Sequence, residues 1–201
     1  MALQKIRSGG EGRIDKANYT ILYGGKEKQE HHETAFMLDK KLRKNLLQFR
    51  RIDGRISYTK RKRLRTNRKS SNGRKKAFYD KLEETCKKIP KHDTLIVVGD
   101  FNAKIGRKDF IKDVAGKETI HETTSDNGIN LCHLATQTGT YIVRTKFKHK
   151  KVHKTTWNIH GKNKGNQIDH ILIKTMRDKM INDVRSYRGI SVETDHNLVI
   201  A

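Results

Sequence analysis

Thr94-Leu95-Ile96-Val97-Val98-Gly99-Asp100-Phe101-Asn102 is the stretch on which the fold turns. Thr94 to Val98 forms a continuous apolar run, short and β-branched, bounded by charged residues and a glycine. Such a run reads as a central strand buried on both faces. It carries a carboxylate and a carboxamide, Asp100 and Asn102, out of its C-terminal end. Sheet edges reached in this way are where α/β folds place ligand sites. Gly99-Asp100-Phe101-Asn102 also suits a tight turn in which Asp and Asn bond local backbone. Both readings are open on these residues alone.

Outward from this strand, helix and strand patterns alternate. Phe78, Leu82, Cys86 and Ile89 recur at i, i+4, i+8 and i+11, one face of a helix, and Pro90 follows. Asp126 is placed to cap a helix carrying Ile129, Cys132 and Ala135, with Gly139 just past its end. Tyr141-Ile142-Val143, Thr155-Thr156-Trp157 and Ile168 to Ile173 read as further strands. Asn18 to Tyr23 reads as a strand ending at Gly24-Gly25, and Phe36 to Phe49 is ambiguous between strand and helix. Interleaved helices and strands make the expected class α/β.

Composition bounds the rest. The chain has 201 residues, with 45 Lys+Arg against 22 Asp+Glu and a formal net charge of +23. Leu, Ile, Val and Phe make up about 23% of it, close to the roughly 20% below which a highly charged chain stays disordered, so a thin core is expected. The longest strongly apolar stretch, Leu95 to Val98, is far short of the ~20 residues of a membrane span. The first ten residues, MALQKIRSGG, lack the apolar segment of a signal peptide. Cys86 and Cys132 show neither CxxC nor Cys/His ligand spacing. The expectation is a reduced, intracellular, soluble protein without disulfide, structural zinc or membrane partner. A charge of +23 points to a polyanion, nucleic acid first.

Residues 50–76 hold 13 Lys/Arg and one acid, Asp53. They are expected to form a basic loop or disordered insert between an N-terminal part, 1–49, and a C-terminal part, 77–201, that carries the motifs. Within them Lys60, Arg61, Lys62, Arg63 and Arg65 are candidate phosphate contacts, or a nuclear import signal. A merely solvated run is an equal alternative.

Two further strings bear on chemistry. Gln167-Ile168-Asp169-His170 places an acid inside an apolar strand, where an unpaired carboxylate is costly. Thr194-Asp195-His196 offers the imidazole that could accept its charge, and an Asp–His pair sets tautomer and basicity. Taken singly, Asp169 also reads as a satisfied core acid and His196 as an ordinary surface histidine.

In this order the three strings resemble the signature of the endonuclease/exonuclease/phosphatase family: a GDFN strand end, a QIDY-like strand and a terminal SDH. The likeness is closest to the endonuclease domain of non-LTR retrotransposon polyproteins, through flanking strings such as Phe101-Asn102-Ala103-Lys104-Ile105-Gly106 and Asp183-Val184-Arg185-Ser186-Tyr187-Arg188-Gly189. The resemblance implies a DNase I-like four-layer sandwich, two packed β-sheets flanked by helices. It also implies phosphodiester hydrolysis of DNA with magnesium or manganese. Asp100 would orient or deprotonate the attacking water and Asn102 would hold the scissile phosphate. His196 would bond a phosphate oxygen, its ring fixed by Asp169, and Asp195 would help ligate the metal.

The N-terminal half departs from that pattern. Where the family has the metal-binding Glu of an LQE-type strand end, this chain has Leu3-Gln4-Lys5, an ammonium in place of a carboxylate. A first strand ending in a catalytic Asn would precede residue 1. The NVYAP-type strand end is missing between Tyr58 and Phe78, where the basic run stands. The expectation is an incomplete nuclease-like domain of reduced or lost activity; the alternative is a catalytically inactive, basic nucleic-acid-binding protein.

Overall fold

The apolar run at 94–98 becomes the middle strand of a sheet. The computed structural model describes residues 2–4, 11–24, 34–41, 48–53, 56–60, 74–90, 93–108, 113–158, 165–187 and 195–201. Within these, the N-terminal half contributes strands β1 (Ala2–Gln4), β2 (Glu11–Asp15), β3 (Tyr19–Gly24), β4 (Thr34–Asp39), β5 (Gln48–Asp53) and β6 (Ile56–Lys60). Helix α1 (Arg74–Lys87) leads to β7 (Ile96–Asp100), and α2 (Asp126–Thr138) leads to β8 (Thr140–Ile142). A single turn, α3 (Lys151–Lys154), precedes β9 (Trp157–Asn158), β10 (Gly165–Asn166), β11 (Asp169–Lys174), β12 (Arg185–Tyr187) and β13 (Leu198–Ile200).

The strands form a five-stranded sheet in the order β5-β6-β7-β11-β8, a six-stranded sheet in the order β12-β13-β1-β4-β3-β2, and the ribbon β9-β10. Every pairing in the two larger sheets is antiparallel. The period of two along each strand sorts side chains into two cores. On one face Val97, Leu172 and Ile142 meet Leu82 and Cys86 of α1 and Leu131, Cys132, Leu134 and Ala135 of α2. On the other face Val98, Ile171 and Ile173 share a cluster with Leu22, Phe36 and Val199 of the six-stranded sheet.

The molecule is therefore mixed α/β, with its two larger antiparallel sheets sharing one of the two cores. Both longer helices lie on the five-stranded sheet, and the described residues supply no equivalent helical layer on the six-stranded one. An antiparallel sheet can leave one face solvated, and the outermost strand, β2, carries one large apolar residue, Ile14, which is exposed.

The basic stretch 50–76 also differs from the expected loop. Its first part forms most of β5 and all of β6, and its last residues open α1; residues 61–73 lie outside the described residues. Pairing with β7 gives this hairpin its place, since a buried strand offers backbone groups that must be satisfied. β7 thus has β6 on one side and β11 on the other.

Smaller corrections concern helix ends. Ser125, not Asp126, caps α2, its hydroxyl accepting from the Gly128 N–H at 3.2 Å. Ile129 is 46% exposed, while Cys132 and Ala135 are buried as expected. Gly139 ends the helix at φ 59°. Thr155 and Thr156 precede β9 instead of belonging to it. Cys86 and Cys132 are buried free thiols, pushed by burial to about 12 and about 11. Among the described residues no helix is long and apolar enough to cross a membrane.

Candidate functional site at the end of the central strands

β7 ends where β11 begins, and Asp100 stands directly opposite Asp169 in the ladder. Like charges directly opposite one another repel, so the pair calls for a cationic or hydrogen-bonding neighbour. His196 supplies it: Nδ1 lies 3.2 Å and 3.1 Å from the two Asp169 oxygens. Asp169 is 1% exposed and His196 is buried. Burial alone would lower the imidazole pKa. The hydrogen bond that the ring donates to Asp169 and the field of Asp169, Asp100 and Asp195 outweigh it, and the net shift is upward.

The second half of the site is hung on the segment 155–158. The Asn158 N–H donates to the Asp195 carbonyl at 2.9 Å, and the Asn197 N–H donates to the Thr156 carbonyl at 2.7 Å. Trp157 and His196 thereby form an antiparallel bridge. The Trp157 indole N–H donates to Asp195 Oδ2 at 2.7 Å, so one oxygen of that carboxylate is engaged. Thr156 Oγ1 accepts from the N–H groups of Ile168, at 2.9 Å, and Asp169, at 3.2 Å. The Asn158 amide donates to Asn197 Oδ1 at 3.0 Å.

Asn102 realises the turn reading without leaving the site. Its backbone is left-handed, φ 49°, a conformation Asn tolerates better than most residues. Its N–H donates to Asp100 Oδ1 at 2.9 Å, and its carbonyl accepts from the Asn127 amide at 3.1 Å. The turn fixes the Asp100 carboxylate and leaves Asn102 exposed at the rim.

Asp100, Asn102, Asp169, Asp195 and His196 are therefore gathered at one sheet end. Lys60 stands at the end of β6, whereas Lys5, Arg61, Lys62, Arg63 and Arg65 lie outside the described residues. Among the described residues no group of three or more His, Cys, Asp or Glu side chains is placed to hold a metal ion. Magnesium asks for several hard oxygen donors, and Asp195 has already committed Oδ2 to an indole.

The chain is distantly similar to craniofacial development protein 2. It is 22% identical over 211 residues to the protein from Bos taurus, and 22% identical over 213 residues to that from Tragulus javanicus. Each match takes in 100% of this chain but only 35% and 36% of the relative, so the chain spans about a third of the length of the proteins it matches. No protein-family model matches it. The likeness runs through the N-terminal strands as well as the site.

Several residues that position the site escape a motif-based reading. Thr156 and Trp157 read only as a strand, although the single tryptophan of the chain beside two threonines was a usable signal. Arg144 gave none. The residue is 2% exposed, and Nη2 donates to the carbonyls of His153, at 3.2 Å, and Lys154, at 3.0 Å, and to the Ser186 hydroxyl. Nε and Nη1 are buried without a hydrogen-bond partner. Burial lowers its pKa to about 10 against the raising fields of Asp169 and Asp183.

Proposed function

We propose that this chain is a degenerate nuclease-like domain that binds DNA and no longer cleaves it efficiently. The supporting observation is an imbalance within the site. The Asp169–His196 pair is assembled with both carboxylate oxygens on the ring, while the described residues gather no metal-holding set around Asp195. At the position where the resemblance expects a carboxylate the sequence carries Lys5. The magnesium or manganese of the endonuclease/exonuclease/phosphatase family would require donors beyond these, with Asp195 as one of them; when bound it would neutralise phosphate charge and acidify water. The DNase I-like architecture and a nuclear address read from residues 60–65 belong to the same proposal.

What remains suits phosphate binding. Asp169 holds the His196 ring through Nδ1, and an imidazole whose pKa is raised holds its proton better near neutrality, which suits an anionic ligand. Asn102, exposed on its turn beside Asp100, is placed to offer an amide donor to the same anion. The net charge of +23 supplies long-range attraction.

The test is a supercoiled-plasmid assay with magnesium, with EDTA and His196→Ala beside it, and a gel shift on the same protein in EDTA. The expected result is a retained shift and no magnesium-dependent nicking. Nicking that needs magnesium and disappears in His196→Ala would overturn the loss of cleavage and restore the hydrolase reading. Absence of any shift would overturn the DNA-binding reading.

A further inference from the structure

The basic run at 60–65 is one of two. Residues 146–154, Lys-Phe-Lys-His-Lys-Lys-Val-His-Lys, carry five lysines, two histidines and no acid. Unlike residues 61–65, all of them lie among the described residues. The segment is anchored at both ends. The Lys146 ammonium meets Asp178 at 2.8 Å and that of Lys154 meets Glu118 at 2.6 Å. Between these, Lys148, Lys150 and Lys151 are exposed. From beneath, the buried Arg144 guanidinium holds the carbonyls of His153 and Lys154. This cationic surface is held in shape before any ligand arrives, which lowers the ordering cost of binding.

Backbone hydrogen bonds set it beside a second set of cations. The Glu118 N–H donates to the Thr145 carbonyl at 2.9 Å, which lays residues 118–122 along the start of the lysine segment. On their other side the Arg107 N–H donates to the His121 carbonyl at 3.1 Å, and Arg107 Nε donates to the Thr119 carbonyl at 2.8 Å. Arg107 and Lys148 both act on Glu118, and Lys104 and Lys151 both act on His121. His121 Nε2 in turn accepts the Gln167 N–H at 3.1 Å, two residues before Asp169. The cations on the two flanking segments thus converge on a strip that is hydrogen-bonded to the strand end carrying the Asp169–His196 pair.

We propose that Lys104, Arg107, Lys148, Lys150 and Lys151 form a phosphate-tracking rim that holds the backbone of a DNA duplex beside the Asp169–His196 pair. The inference rests on the DNA-binding reading above and adds where the duplex lies. A simple solvated lysine loop would not need a buried guanidinium beneath it or a carboxylate fastening at each end. Phosphates neutralise the repulsion among these cations, and each contact releases counterions.

The experiment is a fluorescence-anisotropy titration of the full chain with a labelled duplex of about 20 base pairs at several salt concentrations. Three proteins are compared: wild type, the triple variant Lys148→Gln, Lys150→Gln, Lys151→Gln, and a variant with Arg61, Lys62 and Arg63 all changed to Gln. Each lost phosphate contact flattens the plot of log affinity against log salt by about 0.9. The 148/150/151 variant is expected to lose about two to three units of slope. The same changes to Arg, which keep the charge, should restore it. A wild-type slope in the 148/150/151 variant would overturn the rim while leaving DNA binding standing, and a loss confined to the 61–63 variant would move the contact there. A wild-type chain that binds without salt dependence, or not at all, would overturn both readings.

Discussion

His170 sits one residue beyond Asp169 and is 1% exposed, with Nε2 2.8 Å from the Ala103 carbonyl. A carbonyl accepts, so Nε2 carries the proton, and buried Nδ1 has no partner. Protonating Nδ1 would bury a charge with nothing to receive its N–H, and burial accordingly pushes the pKa down to about 4. In the unfolded chain an ordinary histidine titrates near 6.5, so between about 6.5 and 4 the unfolded state binds the extra proton. The stability this neutral ring contributes is complete above about 6.5 and is lost as pH falls toward 4, on the order of 3 kcal/mol. His121, also pushed down to about 4 chiefly by burial, works in the same direction. His196 works oppositely: its raised pKa gives stability that is present below about 6.5 and fades as pH rises through the folded value. Urea unfolding at pH values from 4 to 7 should show wild-type stability falling on acidification. In His170→Gln, which keeps a donor for the Ala103 carbonyl, the slope should drop by about 1.4 kcal/mol per pH unit. An unchanged slope would mean the acid sensitivity comes from elsewhere.

Helix α2 bears on the site through the loop that leaves β7. Ser125 Oγ accepts from the Lys104 N–H at 3.1 Å as well as from Gly128, so the N-cap and the loop share one hydroxyl. Gly128 lies so close that an added Cβ would fall 2.1 Å from the Lys104 carbonyl oxygen and 2.6 Å from the Thr124 methyl. Helix propensity alone says Gly→Ala stabilises by about 1 kcal/mol. Here the contact is with backbone that also carries Asn102, so Gly128→Ala is expected to destabilise by about 2 kcal/mol or more. Thermal unfolding measures the sign, and a higher melting temperature than wild type would refute the close approach. Such contacts also mark where sequence reading stops. The buried run at 94–98, the stripe Leu82-Cys86-Ile89 and the helix-ending Gly139 were legible because each is decided by residues close in the chain. The phase of α2 was misread at Ile129, because its buried stripe runs through Gly128, Leu131, Cys132, Leu134 and Ala135. Strands β5 and β6 were hidden by their arginines and lysines, since what makes them strands is the hairpin they form and the pairing of β6 with β7 some forty residues away. The Asp169–His196 pair was legible from its motifs. Trp157 on Asp195 was not, for no local pattern says which side chain an indole 38 positions away will meet.

For the whole molecule, the balance of 45 Lys+Arg against 22 Asp+Glu sets two responses to salt that run in opposite directions. Folding brings the excess cations closer together, so their mutual repulsion opposes the compact state. Screening shortens its reach from about 30 Å at 0.01 M salt to about 10 Å at 0.1 M. Exposed ion pairs such as Lys87–Glu83 and Arg13–Asp15 weaken over the same range, but each contributes less than about 1 kcal/mol. With twice as many cations as anions, relief of repulsion dominates. The free chain should therefore gain several degrees in melting temperature between about 10 and 300 mM monovalent salt, equivalent to about 1–3 kcal/mol at this size. If DNA binds as proposed and favours the folded chain, a hundredfold excess over its dissociation constant contributes at most about 2.7 kcal/mol, less whatever the equally basic unfolded chain gains by binding it. That contribution shrinks as salt competes for the phosphates. Melting curves with and without a duplex should thus lie far apart at low salt and converge at high salt, the free chain rising while the gain from DNA disappears. A free chain whose melting temperature falls steadily with salt would show that its ion pairs, not its excess charge, govern stability. In that case the 22 acids would hold their partner cations closely enough to outweigh repulsion among the excess, and relief of that repulsion would no longer argue for a polyanionic partner.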